Sequence, residues 1–334
     1  TLSLPHNTGL LIITEKKPAS KKEQIRGLQC LSLGESLCRL PPMFFKTRPR
    51  EAELALRMVD SPSVLLDSLL DEGNTVVAGR LAGAYQFLGE EKMAREIIQA
   101  MGSAGHKIRP SNPFEVSTPS LETGTRVKSP LVGRLASMWA EMRFAVIANF
   151  PKPPGQVTSA AIYLNSVEER YVYDAYHSLS IEGYQVTTEL IEKVRRGIWL
   201  PEEDPQDLDQ RNAMAAKGYF EAFKLVKGGI GKVLSGNDPV IIAEQEHTDW
   251  YRALFSPSVQ VGLLEAKALA GYRRIPVYIR GSGHVPPRFE AVVDGMEELF
   301  RLMKKEEHPA VRAVLGHFLF GFVHPYVDGN GRMA

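Results

Sequence analysis

Cysteine is scarce in this chain of 334 residues, which contains only Cys30 and Cys38. Two cysteines are too few for the disulfide framework of a small secreted protein, and we interpret them as free thiols in a reducing cytoplasm rather than as one disulfide. Long hydrophobic runs are also absent, since none reaches the roughly 18 apolar residues that a membrane-spanning helix needs. No charged and then apolar leader opens the chain. We therefore expect a cytoplasmic protein without a membrane partner.

An excess of one charge is missing as well, because 40 Lys and Arg face 39 Asp and Glu for a net charge of +1. This balance excludes a broadly polyanion-seeking surface but leaves room for a local basic patch. From Lys16 to Arg50, nine basic residues less two acidic ones give +7. We interpret this stretch as a solvated face, with a nucleic-acid contact as the alternative. Short helices expected over 61–104 fit either a helix-turn-helix or a small helical bundle.

Apolar periodicity predicts a mainly α protein. The one clear β signal in the second half is Tyr272–Arg280, where apolar residues alternate at Val277 and Ile279 before a Gly-Ser-Gly turn. We predict a smaller, mostly helical accessory domain over 1–115, a linker with a connecting helix (131–149) over 116–160, and a helical-bundle domain over 161–334. Because the chain opens on Thr1 and stops inside a motif at Ala334, we expect it to be a portion of a longer protein.

The most informative stretch is His324–Arg332, which reads His-Pro-Tyr-Val-Asp-Gly-Asn-Gly-Arg. It follows an apolar helix, and its Gly-Asn-Gly run can turn successive backbone N–H groups into one anion-binding concavity. Asp328 is a hard oxygen ligand of the kind that Mg²⁺ takes beside nucleotide phosphates. Arg332 can neutralise phosphate with its planar fork. His324 is suited to accept a proton at neutral pH. An ordinary surface turn would need neither the His-Pro pair nor the arginine, so we interpret this stretch as an active site.

The same stretch resembles the signature loop of Fic-domain proteins (the Fic/Doc family), HPFx(D/E)GNGRxxR. Tyr326 stands in place of the usual Phe, and its phenol needs a hydrogen-bond partner or a path to water. The second arginine of the signature would fall one residue past Ala334. The resemblance covers roughly 160–334 and implies a Fic-type helical bundle core with one β-hairpin flap.

A second segment, residues 271–287, resembles the flap of this family, which ends in a Pro-Pro pair. In relatives the flap registers a target segment by adding it as a β-strand. The resemblance therefore assigns target docking to Arg274, Val277 and Ile279.

A third segment, Ser178–Gly183, resembles the inhibitory motif (S/T)xxxE(G/N) that a class of the family carries N-terminal to the core. Its helix is expected over about 166–183, started by a capping box at Ser166 and Glu169. In relatives the motif glutamate pairs with the second arginine and occupies the space of the ATP γ-phosphate. The resemblance thus assigns inhibition to Ser178, Glu182 and Gly183.

Together these features imply a protein adenylyltransferase, which moves AMP from ATP to a Ser, Thr or Tyr hydroxyl of a protein target, copies of the chain itself included. The implied roles are base for His324, Mg²⁺ ligand for Asp328, and phosphate binding for Gly329, Asn330, Gly331 and Arg332. Two alternatives stay open: a DNA-binding or regulatory protein with a vestigial Fic core, and a Fic member that transfers another phosphate-containing group. A homodimer is compatible with the resemblance.

Overall fold

The computed structural model describes residues 2–4, 8–10, 22–25, 27–114, 128–152, 155, 157, 159–199, 210–279 and 281–334. In these ranges the protein is mainly helical, which confirms the predicted fold class. The helices are α1 Leu33–Arg39, α2 Pro42–Thr47, α3 Pro49–Arg57, α4 Ser63–Glu72, α5 Thr75–Phe87, α6 Glu91–Ser103, α7 Leu131–Asn149, α8 Ala160–Glu169, α9 Tyr171–Ile181, α10 Thr188–Arg196, α11 Gln210–Leu234, α12 Pro239–Gln260, α13 Val292–Lys305, α14 Pro309–Val323 and α15 Asn330–Met333.

The β structure lies near the N-terminus rather than in the expected flap. Strands β1 (Leu2–Leu4) and β2 (Thr8–Leu10) form one antiparallel pair, and β3 (Lys22–Ile25) and β4 (Leu28–Leu31) form another. Residues 271–279 contain no strand, so the hairpin predicted at Tyr272–Arg280 is wrong as far as the described residues extend. Its backbone instead bonds to the loop after α14, as Arg273 N donates to Pro325 O over 2.8 Å.

The N-terminal helices pack too tightly for the helix-turn-helix alternative to gain support. Nine consecutive residues of α5, Val77 through Tyr85, are buried. Gly79 and Gly83 are essential to this packing, because a Cβ on either would lie within 2.3 Å of a backbone carbonyl of the 109–111 segment. A helix covered along its length has no free face for a DNA groove. The proposed nucleic-acid contact of the basic stretch stays a prediction, since Lys16 to Lys21 lie outside the described residues.

One core joins the two ends of the chain. Buried apolar residues from Leu37 to Tyr326 form a single cluster that includes α4, α5, α6, α12, α13 and α14. A buried ion pair crosses it, with Arg252 Nη2 on α12 lying 2.6 Å from Glu96 Oε2 on α6. A second cluster gathers α9, α10 and α11 around Tyr171 and Ile191. The predicted domain bounds stay a prediction, but the helices of the accessory segment and the C-terminal helices share one interior.

The expected capping box at Ser166 does not start a helix. Ser159 caps α8 instead, where its side chain accepts from Ile162 N. Ser166 lies inside α8, and its hydroxyl donates to Tyr163 O over 2.7 Å. A serine hydroxyl can bond to the carbonyl of the preceding turn as easily as to a free amide, so the Ser-x-x-Glu spacing alone did not fix the boundary. The expected helix over 166–183 is therefore two helices, α8 and α9, that meet at Arg170.

Two further expectations concern the whole chain. Among the described residues, no helix is both long and apolar enough to cross a membrane. Cys30 and Cys38 form no disulfide with each other, as the sequence indicated.

Candidate active site

Helix α14 ends at His324, and the backbone there is unusual. His324 is the C-cap residue with φ 52° and ψ 62°, and no other described non-glycine residue has a positive φ. A side chain costs energy in this left-handed region, and such strain persists mainly where the surrounding structure enforces it, often at functional sites. Pro325 follows and prevents the helix from continuing.

The His324 imidazole is half-buried, and its pKa is lowered from the ordinary histidine value. Burial is the main cause, because it disfavours the charged ring, and the nearby positive charge of Arg273 acts in the same direction. A hydrogen bond between the ring and the Gly321 carbonyl opposes the shift. The net result is a neutral imidazole near pH 7, the protonation state that a general base needs.

Asn330 fixes the shape of the loop that follows His324. Its Oδ1 accepts from Tyr326 N and its Nδ2 donates to Tyr326 O, both over 2.9 Å. The Tyr326 ring is buried and stacks on Tyr251, with centroids 3.8 Å apart and planes 4° apart. Because both polar atoms of the Asn330 side chain are committed to the loop, any contact of this residue with phosphate would come from its backbone N–H.

The Gly-Asn-Gly run leads into the short helix α15. Gly329 is its N-cap with φ 79°, and a Cβ there would lie 2.8 Å from the Phe255 ring, so glycine is required on both counts. The Gly329 N–H donates to Asp328 Oδ1 over 2.7 Å. The N–H groups of the first turn that follows have no acceptor within their own helix. They are therefore free to face an anion.

Arg332 and Asp328 close the other side of the loop. Arg332 Nη2 lies 3.3 Å from Asp328 Oδ2, and the guanidinium lies over the rings of Tyr184 and Phe255, 5.2 and 5.0 Å from their centroids. The Arg332 side chain is 2% exposed and that of Asp328 is 60% exposed. Within the described part of the chain, the buried Arg332 Nε has no hydrogen-bond partner. A buried, unpaired guanidinium nitrogen beside an exposed carboxylate fits a bound anion with its counter-cation.

The segment after α9 lies against this loop. A Cβ on Gly331 would be 2.3 Å from Glu182 Oε1, so the carboxylate covers the Gly331 backbone directly. Ser178 lies against α11, where its hydroxyl donates to Tyr219 OH over 3.1 Å. Gly183 turns the chain with φ 85°. The structure thus brings Glu182 to the predicted phosphate concavity and leaves Ser178 as an anchor on α11.

Comparison with known proteins finds a family match that includes this loop. Residues 242–334 match the model of the Fic/DOC family. The C-terminal part of the chain is thus similar to the Fic/DOC family. Distant relatives include proteins named protein adenylyltransferase Fic: that of Drosophila ananassae is 25% identical over 183 residues (53% of this chain, 33% of the relative), and that of Drosophila melanogaster is 26% identical over 174 residues (50% and 31%). The chain spans about a third of the length of these curated relatives.

One solved structure is similar as well. A Fic family protein from Desulfovibrio desulfuricans G20 aligns with a TM-score of 0.36 and 22% sequence identity, over 63% of this chain and 57% of that chain.

The segment predicted to be the flap, residues 271–287, has no strand partner among the described residues. Arg274, Val277 and Ile279, the residues predicted to dock a target, are all half-buried along it. A turn follows at Gly281, which has φ 74°, and Ser282 N donates to Ile279 O over 3.1 Å. The structure therefore places these three residues on one segment beside the His324 loop, with no second strand bonded to them.

Sequence reasoning missed several residues that shape the site. Phe255 and Tyr184 sandwich Arg332, and no motif marks either of them. Tyr219 holds α9 through Ser178 and through Asp174, whose Oδ2 accepts from its hydroxyl over 2.7 Å. Arg273 and His284 lie within the predicted flap, but the alternation of apolar residues that identified this segment does not mark polar residues.

Proposed function

We propose that this Fic-domain chain transfers AMP from Mg²⁺-ATP to a Ser, Thr or Tyr hydroxyl of a protein target. The observation that carries the proposal is the loop at the end of α14. It joins a neutral, half-buried His324 to a glycine-rich helix start and to a buried Arg332 with an unpaired Nε. The names of the distant relatives, protein adenylyltransferase Fic, support the same reaction.

In the proposed step the target hydroxyl oxygen attacks the α-phosphorus of ATP. A new P–O bond forms to the target, and the bond from the α-phosphorus to the oxygen that bridges to the β-phosphate breaks. Pyrophosphate leaves with that electron pair. The hydroxyl proton passes to the free ring nitrogen of His324, the one not bonded to Gly321 O, so that the attacking oxygen gains nucleophilicity as the bond forms.

Backbone and arginine groups stabilise the phosphate charge. The N–H groups at Asn330 and Gly331 open the first turn of α15, and Arg332 supplies a fixed positive charge behind them. Asn330 maintains this arrangement through its two bonds to the Tyr326 backbone. Most of the rate enhancement would therefore come from positioning and electrostatics, as in other phosphate transfers.

Asp328 is the residue that would hold Mg²⁺. Its carboxylate is exposed, and no group of three or more potential ligands lies elsewhere in the described structure. A single protein carboxylate suits Mg²⁺, which usually takes its other ligands from water and nucleotide phosphates. When bound, the ion would neutralise charge on the phosphate oxygens.

We also propose that Glu182 inhibits this activity and that the flap docks the target. The carboxylate covers Gly331, and a phosphate in the same concavity would meet its negative charge. The described flap backbone is bonded to no strand, so a target segment could add to it as a strand around Val277.

The test of the reaction is labelling with radioactive ATP. The protein should label a hydroxyl-bearing target, or itself, from α-³²P-ATP and not from γ-³²P-ATP. His324→Ala should lower the rate by about 10²–10⁴, the usual cost of a lost general base, while ATP binding stays near its original strength. His317→Ala, an exposed histidine on the same helix, is the matched control and should label normally. Transfer of the γ-label, or a His324→Ala protein that labels as fast as the wild type, would refute the assignment.

A further inference from the structure

The C-terminal end of α14 is capped by the flap. The last carbonyls of a helix have no intrahelical partner. Here the four consecutive carbonyls from Phe322 to Pro325 all accept hydrogen bonds from two flap residues, Arg273 and His284. The bonds run from His284 Nε2 to Phe322 O (2.9 Å), from Arg273 Nη2 to Val323 O (3.3 Å), from Arg273 Nε to His324 O (2.7 Å), and from Arg273 N to Pro325 O (2.8 Å).

The same guanidinium also ties the two ends of the flap. Arg273 Nη2 donates to Pro287 O over 2.6 Å and Nη1 to Ile275 O over 3.3 Å. The side chain is buried, and burial lowers its pKa more than the one nearby carboxylate, Glu290, raises it. A buried cation that no carboxylate contacts directly is costly. It is stable here because carbonyl dipoles surround it, including those at the negative end of the α14 dipole.

The residue before Arg273 is fixed independently. Tyr272 OH donates to His247 Nε2 over 2.6 Å. Burial lowers the pKa of His247 to about 4, so this ring is neutral and accepts the bond. The backbone that carries Arg273 is therefore anchored in the core, and the guanidinium acts from a rigid base.

We propose that Arg273 is a positioning residue for the transfer reaction: it holds the strained backbone of His324 in place and couples that backbone to both ends of the flap. This inference rests on the proposed function. The left-handed conformation of His324 needs an external constraint. Arg273 supplies it by donating hydrogen bonds to the carbonyls of Val323, His324 and Pro325. The flap would thus hold His324 in position next to the target strand that it binds.

Arginine is specifically required for this arrangement. Its planar fork offers five N–H donors in fixed directions, whereas lysine offers one compact ammonium on a flexible stem. Arg273→Lys keeps the positive charge and loses the fork. Arg273→Met loses both but keeps an apolar stem of similar length. Arg288, which is 87% exposed and pairs with Glu290, provides the matched control as Arg288→Lys and Arg288→Met.

The first measurement is the rate of self-labelling from α-³²P-ATP, in a Glu182→Gly background so that the carboxylate over Gly331 does not mask the effect. Both Arg273 variants should lower kcat at least tenfold, because a misplacement of about 1 Å can cost about 10²-fold in rate. The KM for ATP and the ATP dissociation constant should change by less than about threefold, since the concavity at 329–332 is untouched. Arg273→Lys with kcat within twofold of the parent would overturn the proposal. So would a parallel loss of kcat and ATP affinity, which indicates a merely structural role.

A milder variant guards against misfolding. His284→Phe keeps the ring that stacks on Phe322, removes the bond to Phe322 O and leaves the Arg273 fork intact, so it should lower kcat less than Arg273→Lys does. The midpoint of thermal unfolding, measured for every variant, reports folding separately from catalysis. If His284→Phe lowers kcat while Arg273→Lys does not, the positioning role is assigned to the wrong residue.

The second measurement needs no catalysis. The His324 ring bonds to the Gly321 carbonyl and so favours one tautomer, which ¹⁵N spectra of histidine-labelled protein distinguish. Arg273→Lys should shift the His324 signals toward the values of a freely averaging ring, and Arg288→Lys should not. An unchanged His324 signal would refute the clamp. If the signal moves as expected but the wild-type protein transfers no AMP, the clamp stands and the proposed function fails.

Discussion

The contact between Glu182 and Gly331 predicts the effect of removing one carboxylate. Glu182→Gly should strengthen ATP binding and raise labelling from α-³²P-ATP. The Glu182 side chain lies so close to Gly331 that a Cβ on Gly331 would be 2.3 Å from Glu182 Oε1. The backbone at Gly331 is where the phosphate is proposed to bind. A nucleotide must therefore displace the carboxylate or accept its repulsion.

The size of the effect follows from Coulomb's law. Two like unit charges about 4 Å apart repel by about 1 kcal/mol in bulk water and about 4 kcal/mol at an effective dielectric constant near 20. Since about 1.4 kcal/mol is a factor of ten, the expected gain in affinity runs from about fivefold to several hundredfold. Glu182 is exposed, which favours the lower part of this range, and we expect about a tenfold rise in labelling. Folding stability should fall by less than about 1 kcal/mol, because the residue is the C-cap of α9.

The assay compares wild type, Glu182→Gly and Glu182→Gln at equal concentration, with ATP affinity measured by calorimetry. Glu182→Gln keeps the size and removes the charge, so it separates repulsion from steric cover. Glu141→Gln, an exposed position on α7, is the control. If Glu182→Gly binds ATP and labels no better than wild type, the segment Ser178–Gly183 is only a helix terminus and the inhibitory role is wrong.

Two other predictions concern pH and packing. Burial and the nearby positive charge of Arg273 lower the pKa of His324 in the nucleotide-free protein, so the inflection of kcat/KM with pH should lie below the ordinary histidine value of about 6.5. An inflection of kcat/KM above that value would contradict the lowered pKa. Tyr326→Phe removes a buried hydroxyl that has no hydrogen-bond partner in the described structure, and it should leave stability unchanged or raise it by about 1–3 kcal/mol in urea unfolding, whereas a loss of more than about 1 kcal/mol would show that the hydroxyl is paired.

The parts of this protein that sequence could predict are those fixed locally. The connecting helix expected over 131–149 is α7, Leu131–Asn149, because a continuous apolar stripe and a flanking proline leave little choice of boundary. The loop at 324–332 could also be predicted, because a His-Pro pair, an acidic residue, Gly-Asn-Gly and an arginine lie within nine positions. Together these residue types suit the binding and transfer of a phosphate group. The sequence likewise indicated that the phenol of Tyr326 would need a partner, and the structure provides none among the described residues.

The misses arose where distant contacts decide the outcome. Alternation at Val277 and Ile279 predicted a hairpin, but Arg273 commits the start of this segment to the carbonyls after α14, which lie about 50 positions away in sequence. The Ser166 capping box failed because the hydroxyl had a nearer acceptor in Tyr163 O. Phe255 has no motif around it, and only the packing of α12 against the loop reveals its contact with Arg332.

Helix α12 explains how the accessory helices bear on the candidate active site. Tyr251 and Phe255, one turn apart, face the loop, where one stacks on Tyr326 and the other supports Gly329 and Arg332. The neighbouring Arg252 points to α6 and pairs with Glu96 in the buried interior. The helix is thus held on one face by the N-terminal segment and supports the proposed phosphate concavity with another. Since a rigid scaffold is what keeps such a constellation within reach of its working geometry, the N-terminal helices form part of the foundation of the site, even though they carry none of its chemistry.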